Sequence, residues 1–244
     1  MTKRILRDDA DGLCTLTLNR PEKLNALDTE TFETLDAILA ELESQTDTIG
    51  CVLLRAEGRA FCAGADLGAM DAQLAISRFK PRVIERLANL PQPVIAAVHG
   101  VAFTGGLELA LAADFIVADP SARFADTHGK WGLVGTWGIS QRLPRRIGQT
   151  AAKLMMMTAR QVSATEAREL GLVDILADEG ALEETARGLA ADILANSWHT
   201  VFGAKWMLRE TDGMSIADGL SHEHYRNPGF APDFAERVES FGKK

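Results

Sequence analysis

The chain has 244 residues, of which 46% are hydrophobic and 25% charged. This balance favours a single globular domain and argues against a disordered or membrane-embedded chain. A net charge of −8 argues against a broad cationic surface for nucleic acid or anionic lipid. The three cysteines form no Cys-x-x-Cys pair and the amino terminus has no uninterrupted apolar segment, so we expect a cytoplasmic protein without a membrane span.

Hydrophobic spacing predicts alternating strands and helices along the first two thirds of the chain. In chain order, we predict two strands within residues 3–18, a helix from Thr29, a strand at 49–54, a helix over 76–90, a strand at 94–98, a helix at 106–113, a strand at 115–118 and a helix at 138–146. Loops are expected at 57–68 and 99–106, and residues 124–148 are expected to wind between short elements. From Thr150 onward the pattern is helical, apart from a short apolar segment at 172–176. This order predicts an α/β fold of stacked layers.

Two glycine-containing loops precede helices and could each present free backbone N–H groups. The first is Ala63-Gly-Ala-Asp66 and the second is Thr104-Gly-Gly-Leu-Glu108. The N-terminus of a helix leaves N–H groups unpaired and carries partial positive charge, so it stabilises a carbonyl oxygen that gains negative charge. The alternative is that each loop is only a turn followed by a helix start.

Glu108 lies in an otherwise apolar helical segment, Leu107 to Ala113. A buried carboxylate is costly unless it is paired or functional, and burial would raise its pKa toward the range useful for acid–base catalysis. The alternative is a partly exposed glutamate that is favoured near the start of a helix by the helix dipole.

Four separated segments resemble the enoyl-CoA hydratase/isomerase superfamily, also called the crotonase family. They are Leu18-Asn-Arg-Pro-Glu-Lys-Leu-Asn-Ala-Leu27, Phe61-Cys-Ala-Gly-Ala-Asp-Leu67, the segment from His99 to Asp114, and Gln141-Arg-Leu-Pro with Gly148. The resemblance implies a crotonase-like spiral of ββα turns, which we assign to residues 1–195, and a helical trimerisation region, which we assign to 196–244. It also implies a homotrimer or a dimer of trimers, and an acyl-CoA thioester substrate.

The resemblance assigns binding roles to positions that match the family's motifs. The thioester carbonyl would lie between the N–H groups of Ala65 and Gly105. Coenzyme A would contact Lys23, Leu24, Ala26, Ala63, Asp66 and Leu67. Many relatives carry a CoA-binding lysine where this chain has Gly68, so its phosphates would be met elsewhere, with Lys243 or Lys244 of a neighbouring subunit as candidates. Coenzyme A is part of the substrate, and no separate cofactor is expected.

Hydratases of this family use two glutamates, and this chain matches only the first of them, at Glu108. A count from Phe124 places His128 where the second glutamate is expected. Histidine exchanges protons near neutral pH, so acid–base catalysis by Glu108 and His128 is retained in principle. The alternatives are a histidine of the pocket wall that bonds Asp126, or a surface residue without a role. Asp126 could orient the imidazole of His128, but the two side chains would point to opposite faces of an extended segment, which argues against that role.

The family's acyl pocket would be lined here by Met70, Trp131 and Trp137, and the two tryptophans would narrow it, although core packing would explain them as well. No metal site is expected, since His222 and His224 would face different sides of a helix. We therefore expect an enoyl-CoA hydratase of lipid metabolism. The alternatives are a double-bond isomerase or another reaction through a CoA enolate, such as C–C hydrolysis or decarboxylation, or a noncatalytic acyl-CoA binding protein.

Overall fold

The computed structural model describes residues 3–69 and 78–241. The strands are β1 (Ile5–Ala10), β2 (Leu13–Leu18), β3 (Cys51–Ala56), β4 (Val94–Val98), β5 (Val101–Phe103), β6 (Phe115–Ala118), β7 (Arg123–Ala125), β8 (Val162–Ser163) and β9 (Ile175–Leu176). The helices are α1 (Thr29–Leu42), α2 (Phe79–Ala88), α3 (Gly105–Ala110), α4 (Ile139–Thr158), α5 (Ala164–Glu169), α6 (Leu182–Leu194), α7 (Trp198–Glu210), α8 (Ile216–Arg226) and α9 (Phe234–Phe241).

The larger sheet has six strands in the order β1-β2-β3-β4-β6-β9. Strands β1 and β2 are antiparallel, and all later neighbours in this sheet are parallel. Its central strands are buried on both faces: Val52 and Leu54 belong to the core that includes α1 and α2, while Cys51 and Leu53 belong to the core that includes α6. Helices therefore cover both faces, as the predicted layers require.

A second, three-stranded sheet in the order β5-β7-β8 corrects the predicted loop at 99–106 and the predicted winding segment from 124. Strands β5 and β7 are parallel and have only three residues each. Such strands are too short to produce a recognisable alternation in sequence. Strand β5 follows β4 and leads directly into α3, and β7 follows β6.

Two predicted helices have different bounds in the structure. The helix expected at 106–113 is shorter and ends at Ala110. The helix expected at 138–146 continues to Thr158, with a break at Gly148, where φ is 76° and ψ is 160°. Glycine adopts this conformation at little cost, so the chain changes direction there without ending the helical region.

The carboxy-terminal helices α7, α8 and α9 contact the core through a few specific residues. The Trp198 ring packs against Gly12 and Gly50, and Lys205 Nζ donates to Asp114 Oδ2 at 2.6 Å. Large apolar side chains are left exposed on these helices and the segment between α8 and α9, namely Leu208, Ile216, Leu220, Tyr225, Phe230, Phe234, Val238 and Phe241. Within the described ranges, no helix combines the length and apolar character needed to cross a bilayer.

Candidate active site

Two backbone N–H groups, of Ala65 and Gly105, lie close together where the two glycine loops meet. A Cβ built on Gly105 would lie 3.3 Å from the nitrogen of Ala65, and one built on Gly64 would lie 3.4 Å from the nitrogen of Gly105. In the described part of the chain, neither N–H has a hydrogen-bond acceptor. The pair is thus available to an oxygen atom of a ligand.

Backbone hydrogen bonds hold both loops in this arrangement. Leu27 donates to Gly64 O at 2.8 Å, and Phe103 donates to Cys62 O at 3.0 Å, which ties the first loop to β5. Thr104 precedes α3 with a φ of 51° and a ψ of −111°, a conformation that L residues rarely adopt. Its N–H donates to Ala125 O at 2.8 Å, so the end of β7 holds the turn that leads to Gly105.

Glu108, in α3, is a buried carboxylate with only 1% of its surface exposed. Its Oε1 accepts hydrogen bonds from the N–H groups of Trp137 at 2.8 Å and Ile139 at 3.2 Å. Burial raises the pKa of Glu108 to about 7, although the charge of His128 and the two backbone donors favour the ionised form. Both protonation states are therefore accessible near neutral pH, as a group that transfers protons requires.

His128 lies between two buried carboxylates. Its Nε2 is 3.7 Å from Glu108 Oε2, and its Nδ1 is 2.6 Å from Asp126 Oδ1. Burial disfavours the imidazolium, but the hydrogen bond and charge of Asp126 and the charge of Glu108 outweigh it and raise the pKa of His128. With Asp126 accepting from Nδ1–H, Nε2 is directed at Glu108. Among the described residues, no group of three or more His, Cys, Asp or Glu is placed to hold a metal ion.

The expectation that Asp126 and His128 point to opposite faces is wrong. Strand β7 ends at Ala125, and Thr127 has a φ of −100° and a ψ of 11° as the chain enters a 3₁₀ turn over His128–Trp131. The alternation of an extended segment ends with the strand, so the two side chains meet. Asp126 Oδ1 also accepts from the backbone N–H of His128 at 3.1 Å.

Of the two described residues predicted to line an acyl pocket, Trp137 lies at this site. A Cβ on Gly105 would collide with the Trp137 ring, and the same ring packs edge-on against Phe32 with centroids 4.9 Å apart. Trp131 ends the 3₁₀ turn with 61% of its surface exposed. Met70 lies outside the described residues. The role of all three as acyl-pocket residues stays a prediction.

The segments predicted to bind coenzyme A lie side by side. Ala63 donates to Leu24 O at 2.9 Å, and Arg20 Nη1 bonds both Ala26 O at 3.0 Å and Asp66 Oδ2 at 2.6 Å. The hydrogen bond from Arg20 holds the pKa of Asp66 below its usual range. Lys23, Leu67 and Gly68 are exposed. Lys243 and Lys244 lie outside the described residues. Their contacts with coenzyme A stay predictions.

Sequence reasoning missed the groups that bind Glu108 Oε1. The donors are main-chain N–H groups of Trp137 and Ile139, which any residue except proline supplies, so no sequence signal identifies them. It also missed Arg142, whose Nη1 donates to Trp137 O at 2.9 Å. The Gln141-Arg-Leu-Pro segment contained the only signal for Arg142, as a charged residue in the first turn of a predicted helix.

The chain is similar to known proteins over most of its length. Residues 8–224 match the family model described as Enoyl-CoA hydratase/isomerase. The 1,2-epoxyphenylacetyl-CoA isomerase of Escherichia coli K12 is 35% identical, covering 99% of this chain and 96% of its own. The short-chain-enoyl-CoA hydratase of Clostridium acetobutylicum is 35% identical, with 79% and 76% covered. A crystal structure of enoyl-CoA hydratase from Bacillus anthracis has a TM-score of 0.93 at 33% identity, covering 98% and 96%. The α/β fold expected from sequence is thereby confirmed.

Proposed function

This chain belongs to the enoyl-CoA hydratase/isomerase (crotonase) superfamily, as its motifs predicted, and we propose that it adds water to the double bond of a 2-enoyl-CoA thioester. It is a hydratase-like enzyme by its relatives. The observation that carries the proposal is the pair of buried Glu108 and half-buried His128, whose Oε2 and Nε2 are 3.7 Å apart. Glu108 lies one helical turn after Gly105, which supplies one of the two free N–H groups. The pair of Glu108 and His128 supplies an acid and a base beside a site for a carbonyl oxygen.

The N–H groups of Ala65 and Gly105 would bind the thioester carbonyl oxygen. When water adds to the β carbon, negative charge moves onto that oxygen, and hydrogen bonds to it strengthen as the enolate forms. Donors aimed at a developing oxyanion contribute about 3–4 kcal/mol each to stabilising the transition state. Because these donors are main-chain groups held by neighbouring strands, little reorganisation is needed during the reaction.

Glu108 and His128 would divide the proton transfers between them. A water molecule within reach of both atoms loses a proton to ionised Glu108 while its oxygen forms the bond to the β carbon. Protonated His128 then gives its Nε2 proton to the α carbon and the enolate becomes a thioester again. The proton on Glu108 passes to neutral His128, so the balance is one water added. The raised pKa values of both groups support this division.

A double-bond isomerase is the second candidate. The matching family model covers both enoyl-CoA hydratases and isomerases, and the resemblance implies that His128 stands where two-glutamate hydratases have their second glutamate. In that reaction, one of the two groups removes a proton from one carbon of the acyl chain and returns it to another, and no water is added. The two reactions need the same oxyanion site and differ in whether water attacks.

We also propose how coenzyme A is held, how the chain assembles and in which compartment it acts. Coenzyme A is part of the substrate, held by backbone of the 24–27 and 63–67 segments with Lys23, and the proton transfers use no other cofactor. The exposed apolar side chains of α7 to α9 would be buried in a homotrimer or a dimer of trimers. The three cysteines are buried free thiols, in keeping with a reducing cytoplasm.

Incubation of the purified protein with a panel of 2-enoyl-CoA thioesters in ¹⁸O-labelled water tests the proposal. Hydration places ¹⁸O on the product, whereas isomerisation moves the double bond without incorporating it. Glu108→Gln should lower kcat by about 10²- to 10⁴-fold while CoA affinity, measured by calorimetry, stays within error. Binding of CoA thioesters with no turnover of any of them would contradict both catalytic candidates and favour a binding protein.

A further inference from the structure

We propose that Arg142 is a positioning residue: its guanidinium holds residues 137–139 in the conformation that binds the catalytic carboxylate of Glu108. The catalytic role of Glu108 rests on the proposed function, but the contacts of Arg142 do not. The inference therefore has a test that needs no substrate.

Arg142 and Glu108 bind the same three-residue segment. Nη1 of Arg142 donates to the carbonyl oxygen of Trp137 at 2.9 Å. The N–H of Trp137 donates to Glu108 Oε1 at 2.8 Å, and the N–H of Ile139 donates to the same oxygen at 3.2 Å. The backbone N–H of Arg142 also donates to Gly138 O at 2.9 Å. Movement of this segment away from Arg142 would withdraw both N–H donors from Glu108.

The space for the guanidinium depends on Gly138, which has a φ of 110° at the start of α4. A Cβ built on Gly138 would collide with Nη1 of Arg142. The guanidinium thus packs directly against the backbone that it holds. Any other residue at 138 would be strained and would displace the guanidinium of Arg142.

The positive charge of Arg142 favours the ionised form of Glu108, as does its hydrogen bond to Trp137 O, which holds the two N–H donors in place. Burial lowers the pKa of the guanidinium, and the charges of Glu85 and Glu108 oppose that effect. The guanidinium stays protonated at every pH at which the protein is studied. Among the described residues, the charges of His128 and Asp126 shift the pKa of Glu108, and the charge of Glu108 acts in turn on this guanidinium. Removal of the guanidinium therefore disfavours the ionised form of Glu108, both directly and through the lost N–H donors.

Arg145, one turn later in α4, provides a matched control. Its side chain is 57% exposed and pairs with Asp212 at 3.2 Å. Its other hydrogen bonds go to the backbone and side chain of Gln141. Arg145→Met removes the same charge from the same helix without touching residues 137–139.

Infrared titration measures the ionisation of Glu108 without substrate. Exposed carboxyl groups are ionised above pH 6, so the carboxylic acid band that persists there, and that is missing from Glu108→Gln, reports Glu108. The midpoint is the pH at which half of this band is lost. We expect the midpoint to move upward by about one pH unit in Arg142→Met and to be unchanged in Arg145→Met. A folded Arg142→Met protein with the wild-type midpoint overturns the inference, whatever reaction the enzyme catalyses.

Kinetics on an accepted thioester gives the second readout. At pH 7, Arg142→Met should lower kcat about 5-fold with KM unchanged, and the acid limb of the pH profile of kcat should move upward by about one pH unit. Arg142→Lys should restore part of both the midpoint and kcat. If Arg142→Met fails to fold by circular dichroism, Arg142→Lys decides, and wild-type values of both quantities in it overturn the inference.

Discussion

Nε2 of His128 lies 3.7 Å from Oε2 of Glu108, while Nδ1 of the same ring lies 2.6 Å from Asp126. The imidazole is therefore held by one carboxylate and directed at another. Asp126 and Glu108 both stabilise the protonated ring, and the Nε2 proton is directed at the side of the site where Glu108 lies. This differs from two glutamates sharing a water, since one partner is cationic when protonated.

Replacement of the orienting carboxylate tests this arrangement. Asp126→Asn removes the charge that stabilises the imidazolium, so the pKa of His128 should fall and the protonated donor should be lost at lower pH. Because hydrogen bonds to charged groups contribute about 1.5–3 kcal/mol, we expect kcat above neutral pH to drop about 10- to 100-fold. The pH profile of kcat measures both effects. Asp119→Asn is the control, because Asp119 Oδ1 accepts a hydrogen bond from the Ser121 N–H. An unchanged alkaline limb in Asp126→Asn would contradict the assignment.

The two N–H groups proposed to bind the thioester oxygen depend on the absence of a side chain at Gly105. Gly105→Ala places a methyl group against the Trp137 ring and next to the Ala65 nitrogen. Displacement of one donor should lower kcat about 10²- to 10³-fold. Gly188→Ala, in α6, meets no atom within 4 Å and should raise the free energy of unfolding by about 0.5–1 kcal/mol with no loss of kcat. Equal kcat values for the two variants would contradict the role of Gly105.

The raised pKa of Glu108 predicts how stability depends on pH. Since the pKa rises from 4.5 in the unfolded chain to about 7 in the folded protein, the folded state binds this proton more tightly. The resulting stabilisation is full below pH 4.5 and is lost as the pH rises through 7. Between pH 5 and pH 8, wild type should lose on the order of 1–3 kcal/mol of unfolding free energy relative to Glu108→Gln, measured by urea denaturation.

A glutamate with the opposite shift provides the comparison for that experiment. The hydrogen bond from Arg86 lowers the pKa of Glu43, so its stabilisation is present above the unfolded pKa and is lost only in acid. Glu43→Gln should therefore run parallel to wild type between pH 5 and pH 8. A Glu108→Gln curve parallel to wild type in the same range would show that Glu108 is not protonated near neutral pH.

The exposed apolar residues of the carboxy-terminal helices predict the assembly. Ile216 and Leu220, one turn apart in α8, are 84% and 61% exposed. Their double replacement by aspartate should dissociate the oligomer, because charges are disfavoured in the core of an interface. Light scattering after gel filtration measures the mass. Met157→Asp, at an exposed apolar position of α4, should keep the wild-type mass, and a wild-type protein that is already monomeric contradicts the prediction.

The parts of the fold that could be predicted are those with a local pattern. The buried strand at 94–98 and the helix from Thr29 follow from hydrophobic spacing, and α1 begins at that residue with Asp28 as its cap. Strands β5 and β7 have three residues each, too few for a pattern. They are stabilised by each other, and sequence does not show that pairing.

In the candidate site too, some residues could be predicted from sequence and others could not. Glu108 was identifiable because a carboxylate in an apolar helix is unusual. The contact of Asp126 with His128 is not predictable in this way, because β7 ends at Ala125 and the alternation of an extended segment applies to neither residue. The amides of Trp137 and Ile139 bind through atoms common to almost all residues, so only the folded backbone reveals them.

The main chain and the side chain of Trp137 make different contacts at the site. Its N–H and carbonyl bind Glu108 and Arg142, while its ring alone occupies the space beside Gly105. Substitution at this position keeps both main-chain groups and exchanges only the ring. On the proposal that Trp137 lines the acyl pocket, residue 137 is the position at which the shape of that pocket changes while the main-chain groups that bind Glu108 and Arg142 remain, which makes it the first choice for engineering substrate range.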